Sequence, residues 1–149
     1  MDFSAEYKAT FDEKGRVVLP VGFKNQLGGN IPGDQLAIQL DPHEKCLNIY
    51  PIPQWETKLA KIKEKLNPEK KEHAKVLDVF YSRFKIIPVP ESCRLNIPND
   101  FMEKVGITKD VTFIGAGERI RLWDIAEYNR YMGSMDNYSD LYEKLVGGE

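Results

Sequence analysis

Hydrophobic and polar residues alternate in short runs at the start of the chain. Residues 7–11 alternate, and residues 17–19 form a second apolar run that ends at Pro20. Such runs predict β-strands, and residues 12–15 between them predict a tight turn, because Asp12 opens turns and Gly15 accepts a positive φ. We therefore predict that the two strands pair with each other across this turn.

Two later pairs of apolar runs enclose turn residues and predict β-hairpins. The strands are residues 36–40 with 47–50, around the turn 41–44, and residues 111–114 with 119–123, around the turn 115–118. Apolar pairs spaced by four residues predict the buried faces of two short helices. These pairs are Phe23 with Leu27 and Phe101 with Val105.

The chain contains an internal repeat. Three residues of the first half recur 78 residues further on, namely Arg16, Pro20 and Phe23 as Arg94, Pro98 and Phe101. Residues 47–51 are likewise similar to residues 120–124. The sequence therefore predicts two copies of a unit of about fifty residues. We place the first repeat at 1–53, a helical linker at 54–83, the second repeat at 84–132 and a tail helix at 133–149.

The linker and the tail both have helical periodicity. Apolar residues of the linker are spaced as in a helix, with a break at Asn67-Pro68, so two helices are predicted. From Gln54 to Lys85 there are nine Lys and Arg against five acids, which is typical of a solvated helix face. The tail carries one apolar stripe that we expect to dock on its own chain or on a neighbouring subunit. Its residues are Tyr138, Leu141, Tyr142 and Leu145.

Composition narrows the class of protein. The 149 residues are 42% hydrophobic and 30% charged, which excludes a disordered, collagen-like or membrane-embedded chain. The net charge of −2 gives the whole molecule no electrostatic reason to bind polyanions. Any contact with nucleic acid must therefore be local.

The sequence offers few candidates for catalytic or metal-binding residues. Cys46 and Cys93 lie far apart, and neither His43 nor His73 has a ligand partner at a suitable spacing, so we expect reduced thiols, no metal site and no cofactor. No serine lies in a nucleophile motif, and we expect no enzyme activity. The start of the chain lacks the features of a signal peptide, and the sequence contains no run of about 18 apolar residues. We expect a cytoplasmic protein that does not bind membranes.

Residues 12–20, Asp-Glu-Lys-Gly-Arg-Val-Val-Leu-Pro, resemble the DxxxR signature of the MraZ family, which belongs to the AbrB-like swapped-hairpin superfamily. Residues 47–51, the second-half run 94–98 and residues 114–124 are similar to further landmarks of that family, in the same order. The resemblance extends over about residues 1–132 and leaves the tail outside. The second copy departs from the signature, since Pro90 stands where Asp is expected and Cys93 where Gly is expected.

The resemblance implies a fold and a function. The fold would be mainly β with short helices (α+β), a duplicated AbrB/MazE-like swapped-hairpin, double-split β-barrel with a helical linker and a C-terminal helix. The protein would assemble into a ring of identical subunits. It would bind double-stranded DNA at short direct repeats upstream of a division and cell wall gene cluster, its own promoter included. We expect a nucleoid-associated transcriptional regulator, and a repressor rather than an activator.

Several basic residues are candidates for DNA contact. Arg16 is the first candidate for reading a base, Lys14 for a phosphate or base contact, and Gly15 for close approach of the turn to the groove. Asp12 supports the motif, and a local salt bridge between Asp12 and Arg16 is the structural alternative, which is compatible with DNA contact. Two weaker candidates are Arg94, whose turn has lost the aspartate, and Lys8, which alternatively protects an edge strand.

A second function remains open from the sequence. A protein-binding module, antitoxin-like or an assembly factor, would use the C-terminal helix instead of the turns. The apolar stripe of the tail is the feature that it would require.

Overall fold

The computed structural model describes residues 2–133 and 136–148. Within these ranges the chain forms eight β-strands and six α-helices, which confirms a mainly β, α+β fold with short helices. The elements in chain order are β1 Glu6–Thr10, β2 Arg16–Val18, α1 Val21–Gln26, β3 Gln35–Leu40, β4 Leu47–Pro51, α2 Ile52–Lys65, α3 Lys71–Ser82, β5 Phe84–Pro88, β6 Arg94–Asn96, α4 Asn99–Lys104, β7 Asp110–Ala116, β8 Arg119–Asp124, α5 Ile125–Met132 and α6 Tyr138–Leu145.

The strands form two antiparallel sheets. The larger has six strands in the order β1-β7-β8-β4-β3-β5, and the smaller consists of β2 and β6. The two predicted hairpins, β3 with β4 and β7 with β8, are confirmed. They join through β4 and β8, where Ile49 lies opposite Ile120. The larger sheet is thus continuous across the two copies of the repeat.

The predicted pairing of the first two strands across the turn at 12–15 is wrong. Strand β1 pairs instead with β7, with Tyr7 opposite Phe113, and β2 pairs with β6, with Val17 opposite Leu95. A hairpin of two short strands is marginally stable in water. By pairing with strands of the other half, β2 buries Val17, and β1 packs Tyr7 and Ala9 partly buried against the main core.

The main core lies where the two halves meet. Val17, Leu95, Phe23 and Phe101 are all buried there. The helices α1 and α4, which carry the two phenylalanines, confirm the two short helices predicted from the apolar spacing. The Phe23 ring packs edge-on against the ring of Tyr7, with centroids 5.1 Å apart. This contact holds α1 against β1.

A second, smaller core anchors the two linker helices. The Trp55 ring of α2 stacks on Phe80 of α3 at 5.8 Å and contacts Phe84 at 4.7 Å and Tyr50 at 5.1 Å. The predicted break between the helices is confirmed, since α2 ends at Lys65 and α3 begins at Lys71. The tail forms the predicted helix α6, while residues 134, 135 and 149 of the predicted tail segment lie outside the described residues. No helix among the described residues is long and apolar enough to cross a membrane.

A partly buried polar network joins the halves at β4 and β8. The Arg121 guanidinium lies 3.3 Å from the Asp41 carboxylate and donates to Cys46 Sγ at 3.2 Å. Burial acts to raise the pKa of Asp41, but the Asn48 amide and two backbone N–H groups bond its carboxylate and leave that pKa below its ordinary value. Burial also raises the pKa of the Cys46 thiol to about 11. Cys46 therefore stays protonated at neutral pH and is a poor nucleophile.

A substitution at Gly115 tests how closely the amino-terminal segment packs against β7. A Cβ at this position would lie 2.4 Å from the backbone nitrogen of Ser4, where Phe3 and Gly117 form a β-bridge. We predict that Gly115→Ala lowers the free energy of unfolding by about 2–3 kcal/mol, since backbone has to move. Urea denaturation at neutral pH measures this loss.

Gly28→Ala is the matched control. No atom lies within 4 Å of a Cβ there, and only its φ of +83° is unfavourable, so the expected loss is about 1 kcal/mol. Equal losses for the two variants would contradict the close contact between Ser4 and Gly115.

Candidate nucleic-acid interface

The first turn is held by the side chain of Asp12. Its Oδ1 accepts the backbone N–H groups of Lys14 and Arg16, both at 2.9 Å. The Gly15 N–H donates to the Asp12 carbonyl at 3.1 Å, with Gly15 at φ 77°. A Cβ at Gly15 would meet only Asn99 Oδ1, at 3.9 Å. Glycine is therefore favoured here by backbone conformation rather than by lack of space.

The same carboxylate binds the Arg16 side chain. Arg16 Nε donates to Asp12 Oδ2 at 3.0 Å, and one terminal nitrogen, Nη2, lies 3.0 Å from the same oxygen. The local salt bridge predicted from the sequence is confirmed. A guanidinium has five N–H groups in a fixed fork, so the end of the fork that faces away from Asp12 can still donate two parallel hydrogen bonds.

These contacts change the acidity of Asp12. The Arg16 backbone N–H is the largest cause that holds the pKa of Asp12 below 3.8, with smaller contributions from the Arg16 side chain and the Lys14 N–H. The ion pair is thus formed at every pH near neutrality. Its contribution to stability is present above pH 3.8 and is lost as the pH falls through the lowered pKa.

The two signature arginines lie on one face of the small sheet. In the β2–β6 pair, Arg16 lies opposite Asn96, and Val18 lies opposite Arg94. The residues between them, Val17 and Leu95, point into the core, so the four flanking side chains point outward. Arg16 and Arg94 are diagonal neighbours, which places their Cα atoms about 7–8 Å apart. One open groove of about 500 Å³ is lined by both arginines.

The second turn keeps the shape of the first without its aspartate. The Cys93 N–H donates to the Pro90 carbonyl at 2.8 Å, as Gly15 does to Asp12, and Cys93 takes a φ of 58°. This left-handed conformation costs a non-glycine residue about 1–2 kcal/mol. Among the described residues, Arg94 has no acidic partner, and its side chain is exposed. The two arginines therefore differ in how firmly they are oriented.

The other sequence candidates lie outside this ribbon. Lys14 is exposed at the tip of the first turn, next to Arg16. Lys8 is exposed on β1, which is an edge strand of the six-stranded sheet. Within the described residues, no group of three or more His, Cys, Asp or Glu side chains is placed to hold a metal ion.

Two outward residues of the ribbon did not emerge from sequence reasoning. Val18 is half exposed beside Arg94, and Asn96 is exposed beside Arg16. The sequence feature that indicates them is the alternation of polar or exposed positions with the apolar residues Val17 and Leu95 along each strand. That signal identifies an outer face only when the pairing of β2 with β6 is known.

Comparisons with known proteins extend the sequence resemblance. A family model described as "MraZ protein, putative antitoxin-like" matches residues 3–78 and 91–144. The match therefore continues into α6, so the expectation that the tail lies outside the family is wrong.

Named relatives match over most of their length. The chain is 32% identical over 121 residues to the transcriptional regulator MraZ of Bacteroides fragilis, covering 81% of this chain and 76% of the relative. It is 30% identical over 144 residues to that of Christiangramia forsetii, covering 96% and 92%. It is 29% identical over 142 residues to that of Flavobacterium psychrophilum, covering 95% and 89%.

The bonding of Asp12 leads to a prediction for its titration. We predict that Arg16→Ala raises the pKa of Asp12 only part of the way to 3.8, because alanine keeps the backbone N–H that is the largest cause of the lowering. NMR observation of the Asp12 carboxyl carbon during a pH titration measures this shift. Glu13→Gln, a neighbouring change of one charge, is the control and should move the pKa much less. A full return to 3.8 in Arg16→Ala would show that the side chain, not the turn backbone, controls Asp12.

Proposed function

The chain belongs to the MraZ family, and from that membership we propose that it binds double-stranded DNA sequence-specifically through the outer face of the β2–β6 ribbon. Its family and its relatives identify it as a transcriptional regulator rather than an enzyme. The observation that carries the proposal is the display of Arg16 and Arg94 on one exposed, two-stranded surface. A two-stranded β-ribbon has the right dimensions to enter the major groove of B-DNA.

Arg16 is the base-reading residue of this proposal. Nε and Nη2 of its guanidinium each lie 3.0 Å from Asp12 Oδ2. Because this contact already restricts the side chain, Arg16 loses less rotamer freedom when it binds. The outer end of the guanidinium can donate to O6 and N7 of guanine, a pairing worth about 1–3 kcal/mol of discrimination. Asp12 thus acts as a positioning residue and need not touch DNA.

The remaining candidates have supporting roles. Lys14, at the tip of the turn, neutralises a phosphate, and Gly15 gives the turn its shape. Arg94 makes a second base contact that is weaker, because no aspartate orients it. Lys8 contacts a phosphate in this proposal, although its position on an edge strand equally suits protection against unwanted strand pairing.

The exchange of strands between the two halves supports the finer fold assignment. We assign the chain to the duplicated AbrB/MazE-like swapped-hairpin, double-split β-barrel, with repeats at 1–53 and 84–132, the linker at 54–83 and the tail helix at 133–149. In a swapped hairpin, each half supplies strands that complete the sheet of the other. The pairing of β1 with β7 and of β5 with β3 has this form.

A single ribbon binds too weakly for gene regulation. One or two arginine contacts supply only a few kcal/mol of discrimination, at about 1–3 kcal/mol each. A ring of identical subunits on DNA with short direct repeats makes later contacts intramolecular and raises the overall affinity through effective concentration. The proposed targets are such repeats upstream of a division and cell wall gene cluster, including the promoter of the chain's own gene. Binding there would repress transcription and place the protein on the nucleoid, in the cytoplasm.

Arg16→Ala tests the proposal directly. We predict that the wild-type protein prefers DNA from its own promoter region over scrambled DNA, with a steep dependence on salt. Arg16→Ala should reduce that preference at least about tenfold. Arg94→Ala should reduce it less, and Lys14→Ala should weaken binding to both DNAs and lower the salt slope. Fluorescence-anisotropy titrations at several salt concentrations provide these values.

Arg16→Lys is the matched control for charge. It keeps one positive charge but loses the planar fork, so it should lose preference nearly as Arg16→Ala does while retaining more of the salt dependence. Light scattering should show unchanged assembly in all variants. If the folded and assembled wild type shows no preference for that DNA, the proposed self-regulation is wrong, and the protein-binding alternative through α6 takes its place.

A further inference from the structure

The outer face of the β2–β6 ribbon carries two cross-strand pairs of side chains. Arg16 lies opposite Asn96, and Val18 lies opposite Arg94. The offset of 78 residues between the two copies makes Arg16 equivalent to Arg94 and Val18 equivalent to Asn96. A two-fold axis at the centre of the ribbon would exchange the equivalent positions. The two arginines obey this symmetry, whereas the valine and the asparagine break it.

Asn96 is an unexpected residue for its position. Asparagine is depleted in β-strands and valine is favoured there, and the equivalent residue, Val18, follows that preference. Asn96 is exposed, and within the part of the chain that the structure describes its amide makes no hydrogen bond to the protein. The buried Asn48 amide, by contrast, donates to Gln39 and Asp41. Residues that contradict the local preference of their element are expected at functional sites.

Asn96 is close enough to Arg16 to meet the neighbouring base. Side chains directly opposite in an antiparallel pair have Cβ atoms about 4.5–5.5 Å apart, and successive bases of one DNA strand are about 3.4 Å apart along the helix axis. Asp12 holds Arg16 through two contacts of 3.0 Å, which fixes where a guanine can lie relative to the ribbon. The amide of an asparagine accepts from N6 and donates to N7 of adenine in the major groove.

The groove beside these residues suits the edge of a base better than a phosphate. Arg16, Arg94 and Asn96 line it together with Asp34, whose side chain is exposed. The carboxylate of Asp34 repels the phosphate backbone, so a purely electrostatic contact is disfavoured there. Uncharged base edges that offer hydrogen-bond donors and acceptors meet no such repulsion.

We propose that Asn96 is a second base-reading residue, which recognises an adenine beside the guanine that Arg16 recognises. Val18 is half exposed and offers only methyl groups, so the other end of the ribbon lacks this contact. The inference rests on the proposed function and adds a direction to it. A ribbon with two identical ends would bind equally well in either orientation along DNA, whereas this ribbon prefers one. Such a ribbon suits direct repeats, in which every copy of the site has the same orientation.

Substitutions at the two equivalent positions test the proposal. The probe is the shortest segment of the chain's own promoter DNA that the wild type binds preferentially, with one base pair at a time replaced. For the wild type, we predict that replacing one adenine, or the guanine beside it, weakens binding about tenfold. In Asn96→Val, replacing that adenine should change the affinity less than about twofold, while the guanine keeps its effect. Val18→Asn should create a new preference for adenine at the other end of the site. Fluorescence-anisotropy titrations measure these affinities.

A base analogue identifies the contact itself. 7-Deazaadenine still pairs with thymine but lacks the N7 acceptor. At the sensitive position it should weaken binding by the wild type at least about threefold and leave binding by Asn96→Val unchanged, a coupling that indicates direct contact. Asn129→Val makes the same substitution at an exposed position of α5. It is the matched control and should behave as the wild type does.

The outcomes separate this proposal from the proposed function. Asn96→Val gives β6 the residue that β2 already has, so urea denaturation should show no loss of stability. If the wild type prefers its promoter through Arg16 but Asn96→Val has the same base preferences, the proposal is overturned and the proposed function stands. A loss of affinity in Asn96→Val that is equal for every DNA would place Asn96 on the backbone and would also overturn the proposal. A wild type without any DNA preference would overturn both.

Discussion

The pairing of β2 with β6 is the constraint on which the rest of the structure depends. Each strand has only three residues, and each comes from a different copy of the repeat. Their inward residues, Val17 and Leu95, belong to the same main core as the phenylalanines of α1 and α4. Because the two strands are antiparallel, the two turns lie at opposite ends of the ribbon, while their arginines share its outer face. Separating the halves would expose this core and would also separate Arg16 from Arg94, which lie on different strands of the ribbon.

The two copies have diverged in how their turns are stabilised. In the first, the Asp12 carboxylate bonds two backbone N–H groups and the Arg16 side chain. In the second, Pro90 supplies only a carbonyl, and Cys93 holds a positive φ that suits glycine better. The Cys93 side chain is buried in the main core, and this burial offsets part of the backbone strain. A pre-oriented arginine loses less entropy on binding than a mobile one, so the two ends of the ribbon are not equivalent.

Sequence periodicity predicted which residues form strands and helices but not how all of the strands pair. The hairpins around residues 41–44 and 115–118 were predictable because short turns join strands that are adjacent in the sheet. The turn at 12–15 has equally strong turn residues, yet its strands pair with the other half. Alternation specifies which face of a strand is buried and carries no information about its partner. The salt bridge of Asp12 with Arg16 was predictable from local spacing. The ion pair of Arg121 with Asp41 was not predictable, because Arg121 reaches Asp41 only when β4 and β8 pair.

Charge is distributed unevenly along the chain, and this bears on the proposed binding of DNA. A chain with a net charge of −2 is repelled weakly by DNA as a whole, and Asp12 further offsets the charge of Arg16 at the tip of the ribbon. Within the chain, the segment 54–85 has nine Lys and Arg against five acids, whereas the segment 136–148 has one lysine against three acids. In the proposed function, the lysines and arginines of the turns provide the local positive charge that DNA contact requires, and weak single contacts gain strength when several subunits act together.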